Sequence, residues 1–151
     1  MNLVHPLYTE KNLLDFWTKN SMRNTTEIGR YGESVACFYL QSHKYKIIEQ
    51  NYYASHNEID IIAENKKYIV FVEVKTRSCY SERDLEYGTP AMAVTYSKQR
   101  RTLAAAQAYL SEHPTNKSPR FDVIEVYLHK NRESSSTEVL KINHIEDAFG
   151  N

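Results

Sequence analysis

Cysteine is scarce: Cys37 and Cys79 are the only two in 151 residues, and they offer neither a metal-ligand spacing nor a disulfide framework. Cys37 is expected to be a small core residue on a helix rather than a reactive thiol. Glycine and proline number four each, which excludes a low-complexity or linker-rich chain. No apolar run approaches the roughly 20 residues that span a bilayer, so no membrane partner is expected. The N-terminus also lacks the basic stretch and apolar core of a secretory signal. A reducing cytoplasm fits these absences. Net charge is absent too: 19 Lys and Arg against 19 Asp and Glu give no support to nucleic-acid binding through bulk charge. Six histidines show no paired ligand spacing, which speaks against zinc.

What remains is 41% hydrophobic content, enough for the core of one domain. Twelve tyrosines are expected to pack mainly at the edge of that core. Residues 1–22 read as an N-terminal extension, in which Leu13, Leu14, Phe16 and Trp17 suit a short amphipathic helix; residues 23–151 read as a single domain. Asn24-Thr25-Thr26-Glu27 is a helix start, with Asn24 as N-cap, and the helix is expected to reach Ser42. Gly29, Glu33, Ala36 and Leu40 share one stripe of it. An interior glycine costs about 1 kcal/mol relative to alanine, so Gly29 and Gly32 suggest close approach of the helix to a sheet, with Glu33 pointing inward.

Ile47–Tyr53, Glu58–Ala63 and Tyr68–Thr76 read as successive strands. Period-2 alternation puts Val70, Val72, Val74 and Thr76 on one face of the third, with Phe71, Glu73, Lys75 and Arg77 on the other. In the second, Ile59 and Ile61 oppose Glu58, Asp60 and Ile62. A two-residue turn at Asn65-Lys66 pairs Asp60 with Phe71; a four-residue turn from Asn65 to Tyr68 pairs it with Glu73. Either register keeps Asp60, Glu73 and Lys75 on one face. Arg77 to Tyr96 lacks periodicity and is long for a connection, as a functional or mobile loop would be. Ser97–Ser111 is a helix closed by His113-Pro114, Phe121–Leu128 a fourth strand, Glu138–Ile142 a fifth, and Ile145–Phe149 a short terminal helix.

Carboxylates within such β-rich runs are costly unless partnered. Asp on one strand followed by Glu-x-Lys on the next suits Mg²⁺ beside a phosphodiester, with Mn²⁺ able to substitute. Asp60 and Glu73 are the candidate metal ligands. Lys75 is placed to hold or deprotonate the attacking water and to offset transition-state charge. Glu33 is a candidate to hold a metal-bound water or a second ion. Glu-x-Lys alone carries no weight, since Glu64-Asn65-Lys66 also matches. The alternative is a salt-bridged pair on a solvated sheet face. Lys98, Arg100 and Arg101 open a helix, where N–H groups and a cation suit phosphate. Arg77 joins them as a candidate nucleic-acid contact. Asp122, in a strand beside Arg120, suits a structural ion pair, the alternative being a peripheral part of the site.

Gly29-Arg30-Tyr31-Gly32-Glu33 with Ala36, Asn51-Tyr52, Glu58 to Ala63, Phe71 to Arg77, Gly88 with Pro90, Lys98, Arg120 to Val123 and Ala148-Phe149 together resemble the YraN-like family of bacterial proteins. The resemblance covers Asn24 to Phe149. That family is similar to the restriction-endonuclease-like superfamily and to archaeal Holliday-junction resolvases. The resemblance implies an α/β fold with a mixed central sheet, helices on both faces and the order α-β-β-β-α-β-β-α. It implies an active site on Glu33, Asp60, Glu73 and Lys75. Two departures stand out. Asn57 replaces a usual glycine before Glu-Ile-Asp, and asparagine is the best substitute for a left-handed glycine. Tyr53 stands where a basic residue is common, which weakens a phosphate contact.

The expected function is that of a Mg²⁺- or Mn²⁺-dependent endonuclease on DNA, branched or junction DNA included; nothing in the sequence separates DNA from RNA. A resolvase cuts two strands symmetrically, which favours a homodimer of C2 symmetry. The alternative is a non-catalytic DNA- or protein-binding module on the same fold.

Overall fold

The three short β-rich runs form a continuous meander. The computed structural model describes residues 25–80, 94–131, 133 and 137–150. Its elements are α1 (Thr25–Ser42), β1 (Lys46–Ala54), β2 (Asn57–Glu64), β3 (Tyr68–Cys79), α2 (Tyr96–Glu112), β4 (Ser118–Lys130) and β5 (Thr137–Phe149). The strands lie in one sheet in the order β1-β2-β3-β4-β5. All neighbours are antiparallel except β3 and β4, which are parallel. A parallel pair needs a long crossover, and α2 lies within it. The extension over residues 1–22, the cap at Asn24 and most of the expected loop before Tyr96 fall outside the described residues.

Alternation along β3 divides the core. Val70 and Val72 pack with Tyr31, Val35, Cys37 and Leu40 of α1, and Val74 borders the same cluster. Ile69 and Phe71 pack with Ala105, Ala106 and Tyr109 of α2. Each face of the sheet therefore carries one helix, the α/β arrangement expected. Ile59 departs from its expected side: it joins Tyr52, Ile62 and Phe71 under α2, while Ile61 faces α1. The strict two-face alternation of β2 thus holds only beyond Ile59.

Hairpin chemistry fixes the register left open above. The Asn65 carboxamide oxygen accepts from the backbone N–H groups of Lys67 and Tyr68 at 2.9 and 2.7 Å, and the Asn65 N–H donates to Tyr68 O at 3.0 Å. This Asx turn selects the longer connection, pairing Glu64 with Ile69 and Ile61 with Val72. Asp60 and Glu73 lie just past the last of these pairs. The β1–β2 hairpin also forms, but Asn57 does not supply its left-handed residue. Ala54 pairs with Asn57, and Ser55, at φ 57°, takes the positive angle as the first residue of a two-residue turn.

The expected terminal helix over Ile145–Phe149 is replaced by the end of β5. Ile145 pairs with Val123 and Phe149 with Phe121, across a register shift. Asp147, at φ 51°, donates its N–H to Asp122 Oδ1 at 3.1 Å. These are bonds to β4, more than twenty residues away, and they outweigh the weak helical preference of a five-residue segment.

The two helix glycines behave differently. A Cβ on Gly32 would land on Thr76 Oγ1 and lie 2.9 Å from Thr76 Cβ, whereas one on Gly29 meets nothing within 4 Å. Close approach therefore explains Gly32 and leaves Gly29 without a packing role. Gly32→Ala should destabilise by about 1–3 kcal/mol through overpacking. Gly29→Ala should stabilise by up to about 1 kcal/mol through helix propensity. Paired urea melts check both; equal shifts in the two variants would contradict the packing argument.

Candidate active site

The β2–β3 ladder ends at Ile61 and Val72. Immediately beyond it, the Val74 N–H donates to Asp60 Oδ2 at 2.8 Å instead of to a strand partner. Asp60 is thereby held against β3, within electrostatic reach of Glu73. Glu73 is only 6% exposed, and both of its oxygens face ammonium groups. Lys75 Nζ lies 3.3 Å from Oε1 and Lys98 Nζ 3.4 Å from Oε2. Asp60, Glu73 and Lys75 therefore converge, and Lys98 reaches them from the first turn of α2.

Electrostatics mark the same place. Burial first, and then the Glu73 carboxylate, push the Asp60 carboxyl from 3.8 up to about 7; the Val74 N–H and Lys98 pull the other way. Glu33 is also raised, first by burial and then by Glu58, with the Asn51 side chain hydrogen-bonding its carboxylate and opposing the rise. Glu33 thus looks into the site from α1, as its position on the small-residue stripe implied. Cys37, one turn along, is fully buried. Burial, then Glu33, pushes its thiol up to about 12, so it is inert packing.

The basic residues divide. Arg77 continues the Glu73–Lys75 face of β3, half-buried. Arg100 and Arg101 are exposed on α2. The helix start is less open to an anion than expected: Thr95 caps it, and its Oγ1 accepts from the Lys98 N–H at 3.2 Å. The Lys98 ammonium, rather than its backbone, is what reaches the site.

Two further residues, both within the motifs that carry the family resemblance but with no expected role, border the site. Asn51 has φ 51° and lies between the pairs Gln50–Ile61 and Tyr52–Ile59, so it stands level with Asp60 and presents its amide to Glu33. A non-glycine residue at positive φ inside a strand is uncommon, asparagine being the type that tolerates it. Glu58, on β2, adds a fourth carboxylate within electrostatic reach of Glu33. Neither residue type in that context signals such a role. Asp122, by contrast, is fully buried on the opposite face, bonded to Arg120 and His144. It is structural, as its neighbour Arg120 suggested.

Among the described residues no three His, Cys, Asp or Glu side chains form a preformed metal cage, and no described helix is long and apolar enough to cross a membrane. Two carboxylates suffice for Mg²⁺, which keeps several waters and often takes only one or two protein oxygens. Asp60 and Glu73 supply hard oxygen donors, and their mutual repulsion would be relieved by a shared cation. The donor set fits.

The chain is similar over most of its length to proteins of one family. The chain is 44% identical over 130 residues to a UPF0102 protein of Chlorobium chlorochromatii, covering 86% of this chain and 96% of that relative. It is 43% identical over 127 residues to one of Caldanaerobacter subterraneus, covering 83% and 97%. A third relative, from Clostridioides difficile, is 42% identical over 127 residues, covering 83% and 99%. The model of the uncharacterised protein family UPF0102 matches residues 32–126, a span that holds Glu33, Asp60, Glu73, Lys75 and Lys98. With more than half its length so matched, this chain belongs to the UPF0102 family.

Proposed function

We propose that this protein is a metal-dependent endonuclease that hydrolyses phosphodiester bonds in DNA, branched or junction DNA among its substrates. One observation carries the reading. Just past the last β2–β3 pair, Asp60 is bonded to the Val74 N–H beside Glu73, with Lys75 Nζ 3.3 Å from Glu73. Structural ion pairs rarely need two carboxylates held side by side at such electrostatic cost.

Asp60 and Glu73 would hold Mg²⁺, or Mn²⁺ in its place. When bound, the ion neutralises the non-bridging phosphate oxygens and acidifies a water. Lys75 orients that water and offsets charge as the pentacovalent phosphorus forms. Glu33, its carboxyl raised by burial, accepts a hydrogen bond from the water and is suited to take its proton. Lys98 neutralises Glu73 while no substrate is present and turns to a phosphate when one arrives. The Val74 N–H keeps the Asp60 carboxylate aimed throughout. Symmetric cutting of a junction would call for a C2 homodimer.

The test is cleavage of supercoiled plasmid, hairpin, single-stranded and four-way-junction DNA in Mg²⁺ or Mn²⁺. Wild type should cut at least one. Asp60→Ala and Lys75→Ala should lower the rate by about 10²-fold or more, with Lys75→Ala melting within a few degrees of wild type. Wild-type protein that nicks none of the four sinks the proposal.

A second reading has its own support. Both Glu73 oxygens already face ammonium groups, as they would in a non-catalytic DNA- or protein-binding module. Calorimetry separates the two: heat of Mn²⁺ binding that vanishes in Asp60→Ala favours the nuclease, and no binding at all favours the module.

A further inference from the structure

Beyond Phe71 the face of the sheet that carries Glu73 turns polar. α2 packs over Tyr52, Ile59, Ile62, Ile69 and Phe71, and Phe71 stacks on its register partner Phe121, ring centroids 5.4 Å apart. Register partners on adjacent strands project to the same face, so the pairs that follow extend this face across three strands. Lys75 aligns with Glu125 and Asn143, and Arg77 with Tyr127 and Lys141. The intervening Ile124, Val126 and Ile142 pack with Val72 on the α1 side, as the alternation requires.

The row Arg77–Tyr127–Lys141 is held from within. Tyr127 Oη donates to Glu125 Oε2 and Asn143 Nδ2 to Glu125 Oε1, each at 3.0 Å. Glu125 is 1% exposed. A carboxylate so buried is costly, and here both of its oxygens go to neutral donors, one of them the Tyr127 hydroxyl. The tethered ring is flanked by two cations. Arg77 is its register partner on β3, and Lys141 Nζ lies 6.0 Å from the ring centroid. Among the described residues neither cation has a carboxylate within 4 Å, unlike Lys75, Lys98 and Arg120. Strand geometry puts Arg77 and Lys141 roughly 10 Å apart across the sheet, and their row about 13 Å along it from Glu73. A solvated face scatters its charges; this one sets two cations in register on the side of the candidate site.

We propose that Arg77, Tyr127 and Lys141 form a track for the phosphate backbone of DNA, leading a strand from the carboxylate site across β3, β4 and β5. This rests on the nuclease reading of the site and names the path of the substrate, which that reading leaves open. Cations at fixed spacing hold phosphates without reading bases, so binding along the track is independent of sequence. With a net charge of zero, affinity has to come from such local cations rather than from a broad positive field. The competing path runs along α2, past the exposed Arg100 and Arg101. The row lies on the face where the scissile phosphate would sit, which favours a phosphate chain over an acidic polypeptide.

Fluorescence anisotropy of the full chain in EDTA tests this without cleavage, using two labelled duplexes of unrelated sequence, each of about 20 base pairs, over a range of salt. Arg77→Ala and Lys141→Ala should each weaken binding several-fold, equally for both sequences. Each should also flatten the slope of log affinity against log salt by about one. The double variant should flatten it by about two, with the melting temperature unchanged. Arg77→Lys keeps the charge and should keep the wild-type slope; a guanidinium with only a structural role would leave the slope alone in alanine too. Lys66→Ala removes an exposed charge from the β2–β3 turn, at the far end of β3, and should change nothing. A double variant with the wild-type slope would overturn the proposal. So would a slope that moves only in Arg100→Ala and Arg101→Ala, or wild type that holds neither duplex at low salt. Polyglutamate bound as tightly as DNA through the same two cations would overturn it as well, in favour of an acidic protein. Mn²⁺-dependent cleavage with an unmoved slope would end the track and leave the nuclease standing. The expected slopes without any cleavage would do the reverse.

Discussion

Asp122→Ala should cost about 3–5 kcal/mol of folding stability, a large share of what a domain of this size possesses. Asp122 is fully buried and accepts four hydrogen bonds. Arg120 gives two, from Nε at 2.9 Å and Nη2 at 2.7 Å. His144 Nε2 gives one at 2.7 Å and the Asp147 N–H one at 3.1 Å. Removing the carboxylate leaves the Arg120 guanidinium almost sealed in, against the Tyr45 hydroxyl and the Tyr45 and Tyr68 rings. Its remaining acidic neighbour is Glu146, 3.6 Å away and largely in water. Unpairing a buried ion is what makes the loss large. Replacing both partners by apolar residues, as in Arg120→Met with Asp122→Leu, should recover much of it.

The pH dependence of that network has a definite sign. Burial alone would raise the Asp122 carboxyl, but the bonds from His144, Arg120 and the Asp147 N–H overcome it and hold the group below its ordinary 3.8. A lowered carboxylate contributes stability that is complete above the unfolded value near 4 and lost as pH falls through the folded one. Wild type should therefore weaken in acid below about pH 4, and Asp122→Asn should lack that part of the slope. Denaturant melts between pH 3 and 7 measure both, and a cost for Asp122→Ala below about 1 kcal/mol would show the network to be dispensable.

The same cluster shows why part of the fold was legible in the sequence and part was not. Strands and helices with ten or so patterned residues were readable, because alternation in β3 and the small-residue stripe in α1 are local signals. Ile145–Phe149 was not, since its state is decided by Asp122 and Phe121 on another strand. The site divides likewise. Asp60, Glu73 and Lys75 were legible because either hairpin length keeps them on one face, whichever turn Asn65 chooses. The contact between Lys98 and Glu73 crosses 25 residues and depends on how α2 seats on Phe71 and Ile62. Asn51 was hidden for another reason: its backbone angle, not its residue type, turns its amide toward Glu33. Gly29 misled, because a glycine gives the same signal whether or not anything approaches it.

Asp60→Asn should make the metal-free protein more stable while ending its response to metal. The carboxyl is raised to about 7, chiefly by burial and then by Glu73, against about 3.9 for an unfolded aspartate. Between those values the folded state holds a proton that the unfolded state has released, so stability falls as pH climbs from about 4 to 7. Asparagine mimics the protonated form and can still accept from the Val74 N–H. The variant should gain a few kcal/mol over wild type at pH 8, and the gain should fade towards pH 4. Saturating Mn²⁺ should raise the wild-type melting temperature at pH 8 by mass action and leave the variant unmoved, with DNA cleavage lost. A carboxylate kept at this cost to stability is what the proposed metal-ligand role would require. A variant less stable than wild type at pH 8, or one whose advantage does not change with pH, would mean that Asp60 is an ordinary structural acceptor that bears no such electrostatic cost.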